Sequence, residues 1–195
     1  TELESLEKDA SPEELERNID FYLSVGKPEA ALRAAERLVK ASQQPSNETR
    51  YAYVAIEAKQ FDKIPPIVEK LSKIDGWKGV SQLISINSLI AQGKYDEALK
   101  VIKRDNPFPA VCGRICPHDC ENECTRARVD EAMAIDDIKK FIADKELEEG
   151  NLYVPEKKDS YEEKVAVIGA GPAGMTAAYY LAVEGYPVKA IDNNA

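Results

Sequence analysis

Four cysteines stand within thirteen residues, as Cys112-Gly-Arg-Ile-Cys116-Pro-His-Asp-Cys120-Glu-Asn-Glu-Cys124, and the chain has no others. A disulfide framework in 195 residues would spread its cysteines to staple distant segments. Thiols at C-x3-C-x3-C-x3-C spacing instead suit one object gripped from several sides. Zinc favours C-x2-C knuckles, usually in two pairs separated by a longer loop. An iron–sulfur cube is wider and takes four thiolates from short, even gaps. The spacing favours a [4Fe–4S] cluster on Cys112, Cys116, Cys120 and Cys124, with a zinc ion and paired disulfides as alternatives. Gly113 permits close backbone approach. Arg114 is placed to offset the negative charge of such a cluster. His118 is the only histidine; beside four thiols it reads as a solvated loop residue rather than a further ligand.

A second motif lies near the end of the sequence. Gly169-Ala170-Gly171-Pro172-Ala173-Gly174 is G-x-G-x-x-G. It follows Lys164–Ile168, a β-branched run expected to be a strand buried on both faces. It opens a helix expected over 173–184 and closed by Gly185. A second strand is expected over Pro187–Ile191, followed at once by Asp192. In that context the motif is a dinucleotide fingerprint. Gly169 allows the sharp turn, Gly171 lets backbone reach a pyrophosphate, and Gly174 lets helix and strand pack closely. The helix N-terminus offers N–H groups to phosphate, and Asp192 is placed to accept from ribose hydroxyls. These features do not separate FAD from NAD. The sequence stops at Ala195, and a β-α-β unit buries too little surface to stand alone. It reads as a piece of a longer protein, cut inside its second domain, with an incomplete nucleotide pocket.

The elements that position these motifs are mostly helical. Ser11-Pro12-Glu13-Glu14 is a helix start, with Leu15, Ile19, Tyr22 and Leu23 at helical spacing behind it. Turns at 26, 59 and 93 recur with a period of about 33–34 residues, that of a tetratricopeptide-like hairpin. The hairpins are expected at 12–24 with 28–41, 49–58 with 62–73, and 78–91 with 95–104. Pro65-Pro66 should kink the second helix of the middle hairpin or delay its start. Trp77, Tyr51 and Tyr53 read as core. Asn106-Pro-Phe-Pro109 ends the helices, the cysteine segment 112–124 reads as a loop, and 130–146 returns to a helix with Ile135, Ile138, Phe141 and Ile142 on one face.

Composition narrows the function. With 26 Lys+Arg against 35 Asp+Glu, the formal net charge is −9. An acidic chain without a basic block is a poor nucleic-acid binder. No apolar run reaches the roughly 18 residues that a membrane-spanning helix needs. The acidic start TELESLEKDASPEELE lacks a secretory pattern, and the chain reads as cytoplasmic.

The run from Asn106 to Cys124, then Ala134-Ile135 and Lys139-Lys-Phe-Ile-Ala-Asp144, resembles the iron–sulfur domain of the glutamate synthase small-subunit family. That family includes the N-terminal part of dihydropyrimidine dehydrogenase. The resemblance extends from about Ser88 to Asp192. With the hairpins read from the residues over 1–104, it gives a mainly α chain in which they lead into an all-helical iron–sulfur segment at 105–149. A linker at 150–163 and a truncated Rossmann-type β-α-β unit at 164–195 follow. It also implies that Val165–Asp192 begins an FAD site, with NAD(P)H bound further on in the full-length protein. The absence of any cysteine before 112 points to one cluster held by the four local thiolates. The function implied is electron transfer among NAD(P)H, FAD and a [4Fe–4S] cluster, toward another oxidoreductase subunit or domain. No residue here reads as a catalytic acid, base or nucleophile, so chemistry falls to the cofactors. The alternative is a helical interaction module with a structural zinc site.

Overall fold

The computed structural model describes residues 10–124, 132–150 and 152–193. The chain divides into two compact units, one running to Val101 and the other beginning at Ile102.

The first unit is built from helices α1 (Pro12–Ser24), α2 (Pro28–Ala41), α3 (Pro45–Glu57), α4 (Ile64–Ser72) and α5 (Lys78–Ala91). Helix α6 (Tyr95–Asp105) crosses the division. Proline in the first turn, where its missing N–H costs nothing, opens α1 to α4. Helix α1 begins with a capping box: Glu14 N–H donates to Ser11 Oγ at 3.3 Å, and Ser11 N–H donates to Glu14 Oε2 at 2.8 Å.

The hairpin repeat is written in the backbone of its turns. Lys27 N–H donates to Tyr22 O at 2.8 Å, Gln60 N–H to Ala55 O at 2.8 Å, and Lys94 N–H to Leu89 O at 2.9 Å. In each case the preceding residue is left-handed: Gly26 at φ 68°, Lys59 at φ 55° and Gly93 at φ 72°. This is one helix-ending closure used three times, and the middle copy makes it with a lysine. Pro65 and Pro66 delay their helix rather than kink it. A 3-10 turn at Phe61–Lys63 precedes α4, whose first turn takes both prolines.

Helix α1 packs on α2, α2 on α3, α3 on α4 and α5, and α4 on α5. Ile19, Leu38, Leu71 and Ile84 are wholly enclosed, while Ala31, Ala34, Ala35, Ala52 and Ala55 let the backbones close in. Tyr51, Tyr53 and Trp77 pack at the edge of this core. Leu23, expected inside, is exposed, because it lies about 100° round the helix from Tyr22. Glu48 is buried but paired with Lys70.

The second unit contains α7 (Pro109–Ile115), α8 (Asp119–Asn122), α9 (Ile135–Glu149), β1 (Val165–Ile168), α10 (Pro172–Glu184) and β2 (Val188–Ile191). The cysteine segment is therefore two short helices, not a loop, because Pro109 starts a helix as readily as it ends one. Helix α3 likewise starts at Pro45, ahead of the expected residue 49. Residues 130 and 131 of the expected 130–146 helix lie outside the described residues. The buried face of α9 is Asp136, Ile142, Ala143 and Glu146, and Phe141 is exposed. That face is polar because Glu146 is enclosed with Lys103, their ion pair closing at 2.5 Å.

Strands β1 and β2 are parallel, with Val165 opposite Val188 and Ile168 opposite Ile191. Helix α10 packs against both strands. Burial alternates along β1, and Ile168 is 79% exposed. The expectation of a strand covered on both faces does not hold: among the described residues only one face has a helix on it. The segment before β1 lies along the end of α10. Lys158 N–H donates to Val183 O at 2.8 Å, and the Tyr161 and Tyr186 rings stack at 4.4 Å. Among the described residues no helix is long and apolar enough to cross a membrane.

The enclosed Leu38 supplies the first test. Leu38→Ala should lower the stability of the hairpin unit by about 2–5 kcal/mol. Urea unfolding should show this as an earlier midpoint at unchanged slope.

Candidate metal centre

The four thiols sit on a short, strongly bent stretch of chain. Cys112 lies on α7 and Cys116 caps its C-terminus in an extended conformation. His118 then turns left-handed at φ 63° and starts α8, which carries Cys120, and Cys124 follows that helix. Cys120 is exposed, the other three are partly covered, and no two are joined by a disulfide. Among the described residues, no three His, Cys, Asp or Glu side chains converge as they would around a single ion.

Helix α9 backs this stretch. A Cβ on Gly113 would stand 3.0 Å from Lys140 Cβ and 3.2 Å from its Cα. The glycine beside Cys112 therefore lets two helix backbones meet. Arg114, expected to serve the cluster, faces elsewhere: it donates to Asp144 at 2.7 Å and to Ala110 O at 2.9 Å. Its charge pins α7 to α9.

A polar cluster that sequence reasoning missed joins the cysteine helices to the start of α9. Asp136 is 2% exposed. Its carboxylate meets Lys139 Nζ at 2.5 Å and His118 Nε2 at 3.7 Å. Asp136 N–H donates to Glu121 Oε1 at 2.7 Å, and Glu121 Oε2 lies 2.9 Å from His118 Nδ1. Burial opposes the charge on Asp136, but Lys139, the Cys116 thiol and His118 hold its pKa below the ordinary carboxylate range. The Asp136 N–H, then His118, lowers that of Glu121. Burial also opposes the charge on Lys139, yet Asp136, with Cys116 and Cys112 behind it, keeps its pKa raised. The available signal was the Asp136/Lys139 spacing of three along a helix, read only as part of an apolar-faced segment. The donor set fits the cluster: four thiols within thirteen residues, a half-buried cation on the helix behind them, and a glycine contact that holds the cysteine segment to that helix.

His118 is half-exposed, and the reading of it as a solvated loop residue omits its anchoring. The Glu121 hydrogen bond, with the charges of Glu121, Asp136 and Asp137, raises its pKa. Its contribution to stability is complete below its unfolded pKa of about 6.5 and is lost as pH rises through the folded value.

At the nucleotide motif, Gly169 is left-handed at φ 97°, and a Cβ on Gly174 would fall 1.8 Å from the Gly169 carbonyl oxygen. Gly171 caps α10 in an extended conformation, with nothing within 4 Å of where its Cβ would stand. Pro172, Ala173 and Gly174 form the first turn of α10. Asp192 reaches back across the turn, where Ala170 N–H donates to its Oδ2 at 2.7 Å. The structure thus brings Gly169–Gly174 and Asp192 together, with Gly171, Pro172 and Ala173 exposed at the helix start.

Two measurements probe these arrangements. The imidazole of the single histidine, followed by proton NMR, should titrate above about 6.5, and Glu121→Gln should bring it down. Gly174→Ala should open the turn. The amides of Gly169 and Val165, which donate to Ile191 O and Pro187 O, should then exchange at least about tenfold faster.

Comparison with known proteins places this site. The family described as dihydropyrimidine dehydrogenase domain II, 4Fe-4S cluster, matches residues 81–151. The NADPH-Fe(3+) oxidoreductase subunit beta of Geobacter sulfurreducens is 44% identical over 50% of this chain and 15% of its own length. The NADP(+)-dependent formate dehydrogenase subunit beta of Moorella thermoacetica is 41% identical over 51% of this chain and 17% of its own. The glutamate synthase [NADPH] small chain of Bacillus subtilis is 38% identical over 54% of this chain and 22% of its own. The matched segment thus spans less than a quarter of each relative. Over residues 81–151 the chain is similar to the family described as dihydropyrimidine dehydrogenase domain II, 4Fe-4S cluster, and that similarity extends to a glutamate synthase small chain.

Proposed function

We propose that Cys112, Cys116, Cys120 and Cys124 hold one [4Fe–4S] cluster, and that the chain is an electron-transfer section of an iron–sulfur oxidoreductase. The observation that carries this reading is the family match across 81–151, which encloses all four thiols and the helix behind them. Bound there, a [4Fe–4S] cluster takes up and releases electrons singly. The chain's own part is to fix the thiols on α7 and α8, hold that pair of helices to α9 through Gly113 and Arg114, and supply charge beside the ligands.

The finer reading follows the glutamate synthase small-chain pattern. Gly169, Ala170, Gly171, Pro172, Ala173 and Gly174, with Asp192, would hold the pyrophosphate and ribose of FAD. Their glycine contacts and the Asp192–Ala170 bond support that assignment. A flavin supplies hydride and single-electron chemistry. NAD(P)H as the source of electrons, and a second oxidoreductase subunit as their destination, draw support from relatives named as NADPH- and NADP(+)-linked subunits. No side chain is assigned proton transfer or nucleophilic attack. The boundaries 1–104, 105–149, 150–163 and 164–195, and a cytoplasmic setting, belong to the same proposal.

Substitution of the ligands tests it. Protein prepared without oxygen should be brown, and dithionite should bleach it. Cys112→Ser, Cys116→Ser, Cys120→Ser and Cys124→Ser should each lose most of the iron. A colourless protein with one zinc per chain, lost in the same four variants, would support the structural-metal alternative instead.

A further inference from the structure

The cation beside the thiols is not the one that the cysteine motif itself contains. Arg114, two residues from Cys112 and from Cys116, is drawn away by Asp144. Lys139 stands on α9 next to Lys140, the residue that meets Gly113 of the cysteine-bearing helix; its side chain is 19% exposed, its ammonium lies 2.5 Å from Asp136, and the charges of Cys116 and Cys112 act on it. We propose that the charge of Lys139, beside the buried carboxylate of Asp136, sets the reduction potential of the cluster on its Cys112–Cys116 side. The inference rests on the reading of the four thiols as cluster ligands.

Reduction of the cluster adds one electron and one negative charge and makes or breaks no bond. A cation nearby stabilises the reduced form over the oxidised one, and more strongly where water is displaced. The other charges around the ligands do not fill this role. Arg114 is drawn to Asp144 and Lys103 to Glu146, whereas the ion pair of Lys139 is with Asp136, the carboxylate that also meets His118 inside the cysteine segment. Lys140 meets Gly113 through its backbone and Cβ. His118 is shared between Glu121 and Asp136. Asp136 faces Lys139 and His118 together, and the Cys116 thiol favours its charge. Removing the charge of Lys139 therefore withdraws a cation and leaves a buried carboxylate less compensated beside a ligand. Both changes disfavour an added electron. Removing the charge of Asp136 has the opposite electrostatic sign, so the two variants separate tuning from scaffolding.

The test uses the full chain loaded with its cluster under anaerobic conditions. It is titrated with dithionite and followed by electron paramagnetic resonance. Lys139→Gln should lower the midpoint by at least a tenfold change in the reduced-to-oxidised ratio, about 59 mV for one electron. Lys139→Arg should stay near wild type, and Asp136→Asn should not fall. Wild-type iron, sulfide and midpoint in Lys139→Gln would overturn the proposal, as would an equal fall in Asp136→Asn. Failure of both Lys139→Gln and Lys139→Met to take up iron would make the lysine a scaffold residue and equally overturn it. A wild-type chain without iron and sulfide would defeat the underlying cluster reading instead.

Discussion

Helix α7 approaches helix α9 so closely at Gly113 that one added carbon would lie 3.0 Å from Lys140 Cβ. That contact sits one residue from the first thiol, and the site depends on it. Short helices such as α7 and α8 have little stability of their own. They keep a shape here because α9 gives them a surface, with Arg114–Asp144 on one side and the Asp136, Glu121, His118 and Lys139 cluster on the other. Buried carboxylates are costly unless paired. Asp136 meets that condition by drawing in groups from both the cysteine helices and its own helix.

Much of the hairpin unit was legible in the sequence. Helix ends at 24, 28 and 91 follow from Gly26, the first-turn Pro28 and Gly93, all local signals. Lys59 was harder, because the left-handed conformation there has no glycine to announce it. Yet it repeats the closure of its two neighbours bond for bond. The misplaced starts share a cause. Both α3 and α7 open on a proline, whose lack of an N–H suits the first turn, so Pro109 begins a helix where it reads only as the end of one.

The spacing of the cysteines narrows what they can hold to a few objects, since chemistry restricts what four neighbouring thiols can bind. Their electrostatic surroundings were not. Arg114 lies inside the motif and so seemed the natural counter-charge, but a guanidinium in reach of Asp144 takes the partner whose geometry suits it. Lys139 is fifteen residues beyond Cys124 and becomes relevant only once α9 folds back on α7. The nucleotide motif shows the reverse balance. Its glycines and Asp192 come together in one turn, because a turn between strand and helix is a local object. The burial of β1 depends on what covers it and could not be read from four apolar residues.

The central claim concerns the identity of what the thiols hold, and Mössbauer spectroscopy of protein loaded with iron-57 under anaerobic conditions reads it most directly. Quadrupole doublets of a single [4Fe–4S] species carrying essentially all the iron, with inorganic sulfide in equal amount, are the predicted result. Iron as an isolated tetrahedral ion without sulfide, or a chain that takes zinc and excludes iron, would contradict the account.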